Sequence, residues 1–217
     1  MSHQQAQNDK YYNKTNKDME NFNFTTDYIL ENDAVILRPL QADDVIDLLH
    51  FSINEPNLWQ YSLVTAAGEE NLKNYITTAL IAKLNQREYP FIVFDKKQNS
   101  YAGLTRFYDI QLANKTLQLG YTWYGKAFQG TGLNKNCKLL LLEFAFEQMQ
   151  MERVEFRADN NNAKSIAAMK SIGCVVEGVL RQNVPKPISG RRDSIVLSIL
   201  KSEWENGVKE NLQRKVR

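Results

Sequence analysis

The feature that most constrains the fold is the stretch over residues 117–149, which reads as a strand, a glycine loop and a helix. Residues 117–124 are rich in aromatic and β-branched side chains over the length of a strand. The later part carries apolar side chains at the i, i+3 and i+4 spacing of a buried helical face. These are Leu133, Cys137, Leu140, Leu141, Phe144 and Ala145. The change of hydrophobic period across glycines predicts a strand–loop–helix unit.

The glycine loop itself favours an anionic ligand. Gly130 and Gly132 allow the backbone to turn tightly and to approach a ligand. The first turn of the following helix offers unpaired N–H groups and the positive end of the helix dipole, which together suit a phosphate group. The loop matches neither a P-loop nor a dinucleotide-binding fingerprint, because the required residues are missing. A tight corner without any ligand explains the two glycines at least as well at this point.

Composition indicates one soluble globular domain. The chain has 217 residues, of which 43% are apolar and 24% are charged. It contains no apolar run long enough to cross a membrane, and its N-terminus lacks the apolar core of a signal peptide, so we expect a cytoplasmic protein without a membrane partner. The net charge of +2 is too small to indicate a nucleic-acid partner.

Histidine and cysteine usage excludes much hydrolase and metal chemistry. His3 and His50 are the only histidines, so a histidine-based triad or metal site has too few residues. Cys137 and Cys174 lie in apolar patterns and are expected to be buried free thiols. No metal is therefore expected.

The pattern along the chain divides it into three parts. Residues 1–27 are polar and without periodicity, which predicts a disordered or mobile tail. Residues 28–204 carry the folded domain, with the predicted order β-α-α-β-β-β-α-β-α-β-β and an antiparallel meander before the glycine loop. Residues 205–217 are polar and basic and are expected to form a C-terminal helical extension.

The sequence of the glycine loop resembles a motif of the GNAT superfamily of N-acetyltransferases. Residues 129–134, Gln-Gly-Thr-Gly-Leu-Asn, are similar to the Gln/Arg-x-x-Gly-x-Gly/Ala signature that holds the pyrophosphate of acetyl-CoA, except that Asn134 replaces the final small residue. Residues 162–165, Asn-Ala-Lys-Ser, and the later Gly173 resemble the family's next helix. Residues 120–121 and 177–178 are closer to the RimJ/RimL-like branch.

The resemblance covers about residues 34–204 and implies an α/β (α+β) fold of GNAT type. In this fold a mixed, mostly antiparallel sheet carries helices on both faces and a splayed central strand pair. Acetyl-CoA would be the cosubstrate, bound by the glycine loop, by a strand edge that pairs with pantetheine, and by the next helix. The implied cofactor-binding residues are Tyr121, Thr122, Trp123, Gln129, Gly130, Thr131, Gly132, Leu133, Asn134, Asn162 and Ser165. Asn162 and Ser165 also suit a plain helix cap, so both roles stay open for them.

The implied reaction is direct acetyl transfer from acetyl-CoA to an amine in a ternary complex. A strand N–H near Thr122 would stabilise the oxyanion, and a proton donor would help the thiolate to leave. This chain has Met169 where many relatives carry a tyrosine acid, and Gln118 where RimJ/RimL-like proteins often carry a glutamate. The remaining candidate acids are Ser165 and Tyr121, and the remaining candidate bases are Glu155 and Asp109, although either carboxylate also suits an ordinary solvated position.

The acceptor cannot be named from sequence, but its charge can be predicted. The loop over residues 181–192 carries four basic side chains and borders the acceptor cleft in the GNAT fold. It favours an amine beside a carboxylate, such as a peptide N-terminus, over polyamines. Trp59 and Tyr61 would either wall this cleft or lie in the core. A CoA-binding module without catalysis and a nucleotide-binding interaction protein remain as alternatives, and either a monomer or a homodimer fits.

Overall fold

A computed structural model describes residues 22–186 and 189–216 as one eight-stranded sheet with helices, in strand order β1-β2-β3-β4-β5-β6-β8-β7. The strands are β1 (Leu30–Glu31), β2 (Val35–Pro39), β3 (Tyr89–Asp95), β4 (Ser100–Gln111), β5 (Thr116–Tyr124), β6 (Arg153–Asp159), β7 (Val175–Pro185) and β8 (Arg191–Leu200). The helices are α1 (Val45–Asn54), α2 (Glu69–Leu84), α3 (Leu133–Glu143), α4 (Ala163–Ser171), α5 (Lys201–Glu203) and α6 (Lys209–Arg214). The predicted order of strands and helices from β2 to β8 is confirmed, and β1 precedes it.

The sheet is antiparallel except at its centre. Every other neighbouring pair runs antiparallel, whereas β5 and β6 run parallel. These two strands pair only from Thr116 with Arg153 to Gln118 with Glu155. Beyond Gln118, β5 continues without pairing to β6 anywhere in the described chain, so a gap opens between the two strands. The predicted splayed central pair is confirmed.

Helices cover both faces of the sheet, as two adjacent residues on β4 demonstrate. Arg106 and Phe107 point to opposite faces because side chains alternate along a strand. The Arg106 guanidinium lies 4.7 Å from the ring centroid of Tyr75 on α2, while the Phe107 ring stacks at 6.2 Å on Phe144, just after α3. Helices α2 and α3 therefore pack on opposite faces. No helix in the described residues is long and apolar enough to span a membrane.

The packed chain begins earlier than the sequence pattern predicts. Phe24 is buried in the core, and the Phe22 ring contacts the rings of Tyr89 and Phe144 at 5.5 and 6.1 Å. Residues 22–27 therefore belong to the fold rather than to the expected mobile tail, because their aromatic side chains bury apolar surface against distant elements. Residues 1–21 of that tail lie outside the described residues.

The C-terminal residues form α6, which packs against α3. Leu212 on α6 is buried. The Lys209 ammonium lies 3.4 Å from Glu143 and 2.7 Å from Glu147. The chain bends between α5 and α6 at Gly207, which has a φ of 124°. Helix α3 is thus covered by the sheet on one side and by α6 on another.

Candidate active site

A bulge in β5 lies at the edge of the gap between β5 and β6. Leu104 pairs with Trp123 and Arg106 pairs with Gly120, so one residue of β4 faces two residues of β5. Those two residues are Tyr121, with a φ of 50°, and Thr122. Bulges re-aim side chains and backbone groups, and they occur often beside active sites.

The glycine loop follows β5 and presents unpaired backbone donors. Gly130 and Gly132 have φ values of 78° and 94°. Within the described part of the chain, no hydrogen-bond acceptor meets the N–H groups of Gly130, Thr131, Gly132 and Asn134. A Cβ at either glycine would meet no heavy atom within 4 Å, so the space above the loop is open. These residues fit a phosphate at the N-terminus of α3.

Side chains hold the loop in this shape. The Gln129 amide nitrogen donates to the Tyr124 carbonyl at 2.8 Å, and the Thr131 hydroxyl donates to the Phe128 carbonyl at 2.8 Å. Leu133 is buried and anchors the start of α3. The Lys164 ammonium donates to the Gln129 side-chain oxygen and so adds a positive charge beside the loop. The sequence pattern included Lys164 but gave it no role.

Asn162 precedes α4 and Ser165 lies in its first turn, and the capping role predicted as one option is observed for Asn162. The Asn162 side-chain oxygen accepts a hydrogen bond from the Ser165 backbone N–H at 3.0 Å. The Asn162 amide nitrogen makes no hydrogen bond in the described residues, and Ser165 is half-buried. Met169, where relatives often carry a tyrosine, is buried in the core.

Tyr121 belongs to an aromatic and cationic cluster on the open side of the bulge. Its ring lies 5.0 Å from Tyr108, edge to face, and 4.0 Å from the Arg106 guanidinium. The Tyr75 hydroxyl donates to the Tyr121 carbonyl at 3.3 Å, and Glu88 pairs with Arg106 at 2.5 Å. Burial raises the pKa of Tyr121, so its phenol stays protonated at neutral pH.

Trp123 and Trp59 lie in the core rather than along a cleft. Both indoles are buried, and their rings meet edge to face at 4.9 Å. Any contact of Trp123 with a ligand would therefore use its backbone. Tyr61, in contrast, is more than a third exposed.

The two carboxylates considered as bases have different partners. Glu155 on β6 accepts hydrogen bonds on both oxygens, from Arg153 at 2.8 Å and from Arg157 at 2.6 Å. Asp109 on β4 also accepts on both oxygens, from the Gln118 amide nitrogen at 2.8 Å and from the Gln111 amide nitrogen at 2.9 Å. The side-chain oxygen of Gln118 is buried and has no hydrogen-bond partner in the described residues. The Asp109–Gln118 pair was not predicted, because it depends on the register of β4 with β5.

Only part of the predicted basic loop is free of protein partners. Lys186 lies 3.7 Å from Asp159, and Arg191 donates to backbone carbonyls of β7. Arg192 is buried; it donates to Ser194 at 3.0 Å and to the Tyr61 carbonyl at 3.4 Å. Burial lowers the pKa of Arg192. Residues 187 and 188 of this loop lie outside the described residues.

Comparison with known proteins agrees with this geometry. Residues 34–175 match the acetyltransferase (GNAT) domain family. YdaF of Bacillus subtilis (strain 168), named as a candidate ribosomal N-acetyltransferase, is 32% identical over 107 residues, which are 49% of this chain and 57% of YdaF. The ribosomal-protein-serine acetyltransferase of Escherichia coli (strain K12) is 28% identical over 101 residues, 46% of this chain and 55% of that protein. The chain thus spans little more than half the length of these two relatives.

A solved structure matches over a larger share. The crystal structure of a candidate acetyltransferase from T. thermophilus superposes with a TM-score of 0.78 at 31% identity, covering 87% of this chain and 97% of that one. The GNAT resemblance predicted from the glycine loop is confirmed. Because the family match covers more than half of the sequence, the chain belongs to the GNAT family of acetyltransferases.

Proposed function

We propose that this protein is an N-acetyltransferase that moves the acetyl group of acetyl-CoA to a primary amine by direct attack in a ternary complex. The observation that carries the proposal is the combination of a strand gap and an open anion loop. Strands β5 and β6 separate after Gln118 and Glu155, and the loop following β5 presents four N–H groups without acceptors in the described residues. A cosubstrate with a pyrophosphate and a long amide-bearing arm suits both features.

In this proposal, backbone groups bind most of the cosubstrate. Residues 129–134 hold the pyrophosphate through their N–H groups, and residues 121–123 pair with the pantetheine arm along their free edge. Asn162 offers its amide nitrogen to the same arm while its oxygen caps α4. The Thr122 N–H is the proposed donor to the carbonyl oxygen of the thioester.

Proton transfer is assigned to groups near the bulge and on α4. Tyr121 is a proposed donor to the leaving thiolate because its phenol is protonated at neutral pH, and Ser165 is the second candidate. Asp109 is better supported than Glu155 as the base, since Glu155 is paired with two arginines whereas Asp109 accepts only from neutral amide groups within the described residues. Gln118 orients Asp109 through its amide nitrogen.

We further propose that the acceptor amine lies beside a carboxylate, as in an acidic peptide or protein N-terminus. Arg192 is buried and makes no ion pair within the described residues, so an incoming carboxylate would compensate its charge. The names of YdaF and of the E. coli relative refer to ribosomal substrates, which favours a protein N-terminus presented in the cytoplasm. Polyamines would be repelled by the same charge.

Titration calorimetry with acetyl-CoA, followed by a thiol-release assay, tests both proposals. The acceptors are a peptide with acidic residues after its free N-terminus, the same peptide with Asn and Gln in their place, and spermidine. We expect binding, with fastest thiol release for the acidic peptide and least for spermidine. Absence of acetyl-CoA binding would refute the enzyme proposal, as would binding without release for every amine.

The acceptor proposal has its own controls. Arg192→Met should remove the preference for the acidic peptide, whereas Arg214→Met on α6 should keep it. Equal turnover of spermidine and the acidic peptide by the wild-type protein would contradict the proposed acceptor class.

A further inference from the structure

Lys138 is a buried cation on α3 that the proposed reaction has not yet used. Its side chain is 5% exposed. The ammonium donates to the Thr122 hydroxyl at 2.9 Å and lies 3.4 Å from the Thr105 hydroxyl. No carboxylate forms an ion pair with Lys138 within residues 22–186 and 189–216. A buried charge without an opposite charge is costly, so a residue needed only for packing would be apolar at this position.

The titratable groups around Lys138 do not supply the missing negative charge. Cys137 on α3 and Cys174 before β7 face it, and burial raises the pKa of each thiol to about 12. Tyr124 on β5 adjoins Cys137, and burial raises the pKa of its phenol well above the ordinary value. All three groups are neutral at physiological pH. Burial also lowers the pKa of Lys138, to about 8, which reflects the same absence of an anion.

The two hydroxyls that Lys138 contacts are those of the β5 bulge. Thr105 is the β4 residue that faces the bulge, and its hydroxyl lies 2.8 Å from that of Thr122. Lys138, Thr105 and Thr122 thus form one hydrogen-bonded group beneath the bulge. This group joins α3, whose N-terminus carries the glycine loop, to the strand edge at the gap.

We propose that Lys138 is a positioning residue for acetyl transfer, which fixes the bulge through Thr122 and, when protonated, places a positive charge beside the point where the thioester oxygen becomes negative. This inference rests on the proposed acetyltransferase function. The amine nitrogen bonds to the carbonyl carbon and the carbonyl electron pair moves onto oxygen. That pair returns as the carbon–sulfur bond breaks, sulfur leaves as thiolate, and the amine proton passes to the base. Lys138 keeps its own proton throughout.

Lys138→Met, which keeps the length of the side chain but removes the charge, is the central test. We expect kcat to fall on the order of 10-fold to 100-fold, less than the roughly 100-fold to 1000-fold that loss of a direct oxyanion donor costs, because Lys138 acts through Thr122. The KM for acetyl-CoA should change by less than about threefold. Lys138→Arg, which retains the charge, should recover part of the loss. Lys170→Met removes an exposed lysine of α4 and should behave as wild type.

The pH profile separates a role for the charge from a purely structural role. The acceptor amine titrates in the same way with both proteins, so its effect on kcat cancels in the ratio of wild-type kcat to Lys138→Met kcat. The protonated lysine is the active form, so the ratio should be largest well below the Lys138 pKa of about 8 and fall toward one above it. A ratio of one at every pH, or a constant ratio larger than one, would overturn the proposal.

A second pair of variants keeps the test decisive if Lys138→Met does not fold. Thr122→Val removes the hydroxyl that Lys138 contacts, and Thr122→Ser retains it. We expect a larger kcat loss in Thr122→Val than in Thr122→Ser, and equal kcat in the two variants would overturn the proposal. If the wild-type protein binds acetyl-CoA but acetylates no amine, the proposed function fails first and this inference fails with it.

Discussion

Gly132→Ala should have two separate effects, a loss of stability from backbone strain and a loss of acetyl-CoA affinity from the added methyl group. Gly132 has a φ of 94° and a ψ of −14°, a conformation that other L-residues adopt at a cost of about 1–2 kcal/mol. An added Cβ would meet no heavy atom within 4 Å, so packing adds no further cost. At about 2–4 °C per kcal/mol for a domain of this size, the melting temperature should fall by roughly 2–8 °C.

Gly207→Ala is the matched control. Gly207 has a φ of 124° and a ψ of −15°, and the nearest atom to an added Cβ is the Asn211 amide nitrogen at 3.9 Å. Both variants should lose similar stability, but only Gly132→Ala places a methyl group in the space above the N-terminus of α3. For Gly132→Ala we expect the Kd for acetyl-CoA, measured by titration calorimetry, to rise about tenfold or more, equivalent to about 1.4 kcal/mol.

Two results would refute this reasoning. Unchanged acetyl-CoA affinity in Gly132→Ala, with the expected loss of stability, would mean that the ligand does not approach this part of the loop. An equal loss of affinity in Gly207→Ala would mean that the effect comes from general destabilisation and not from the methyl group.

Three further predictions concern stability. Gly103→Ala should destabilise the fold by about 3–5 kcal/mol in urea unfolding, because the added Cβ would lie 2.0 Å from the Trp123 carbonyl oxygen; an effect below about 1 kcal/mol would contradict this. Asp44→Asn should cost about 1–3 kcal/mol by the same measurement, since it breaks a 2.6 Å ion pair between the buried Asp44 and the partly exposed Arg38; unchanged stability would show that the pair contributes nothing. A hydrogen bond from an arginine on β6 lowers the pKa of Glu177. The Glu177 carboxylate therefore stabilises the protein above its unfolded pKa, and this contribution is lost as pH falls through the folded pKa. Glu177→Gln should weaken the decrease of the melting temperature at acid pH, and an unchanged pH dependence would refute this.

The sequence predicts the central unit well because local periodicity determines it. The strand, the glycine loop and the start of α3 all follow from the spacing of apolar residues and glycines near Gly130 and Gly132. It does not reveal that α3 is buried on more than one side, where Leu139 and Lys138 join the predicted face. Lys138 is buried against β4 and β5, and α6 packs against α3 from more than sixty positions away in the sequence, so no local pattern can report either contact.

Other features depend on contacts between distant segments. Phe22 and Phe24 have no helical or strand periodicity, yet they pack against β3 and the turn after α3. The contact of Gln118 with Asp109 requires the register of two strands and the positive φ of Asp109. The candidate site therefore combines a predictable backbone loop with side-chain pairs that only the tertiary structure brings together.

The short parallel seam between β5 and β6 divides the sheet into two blocks, and within the described residues these two strands pair at three positions. A seam of this length opposes a change in the width of the gap much less than the long antiparallel pairings on either side do. The amide hydrogens along the open edge of β5 are then expected to exchange readily with deuterated water when the gap is empty, and slowly when a ligand bridges the two blocks. Occupancy of the gap would thus be readable from amide exchange alone, before any acceptor is known.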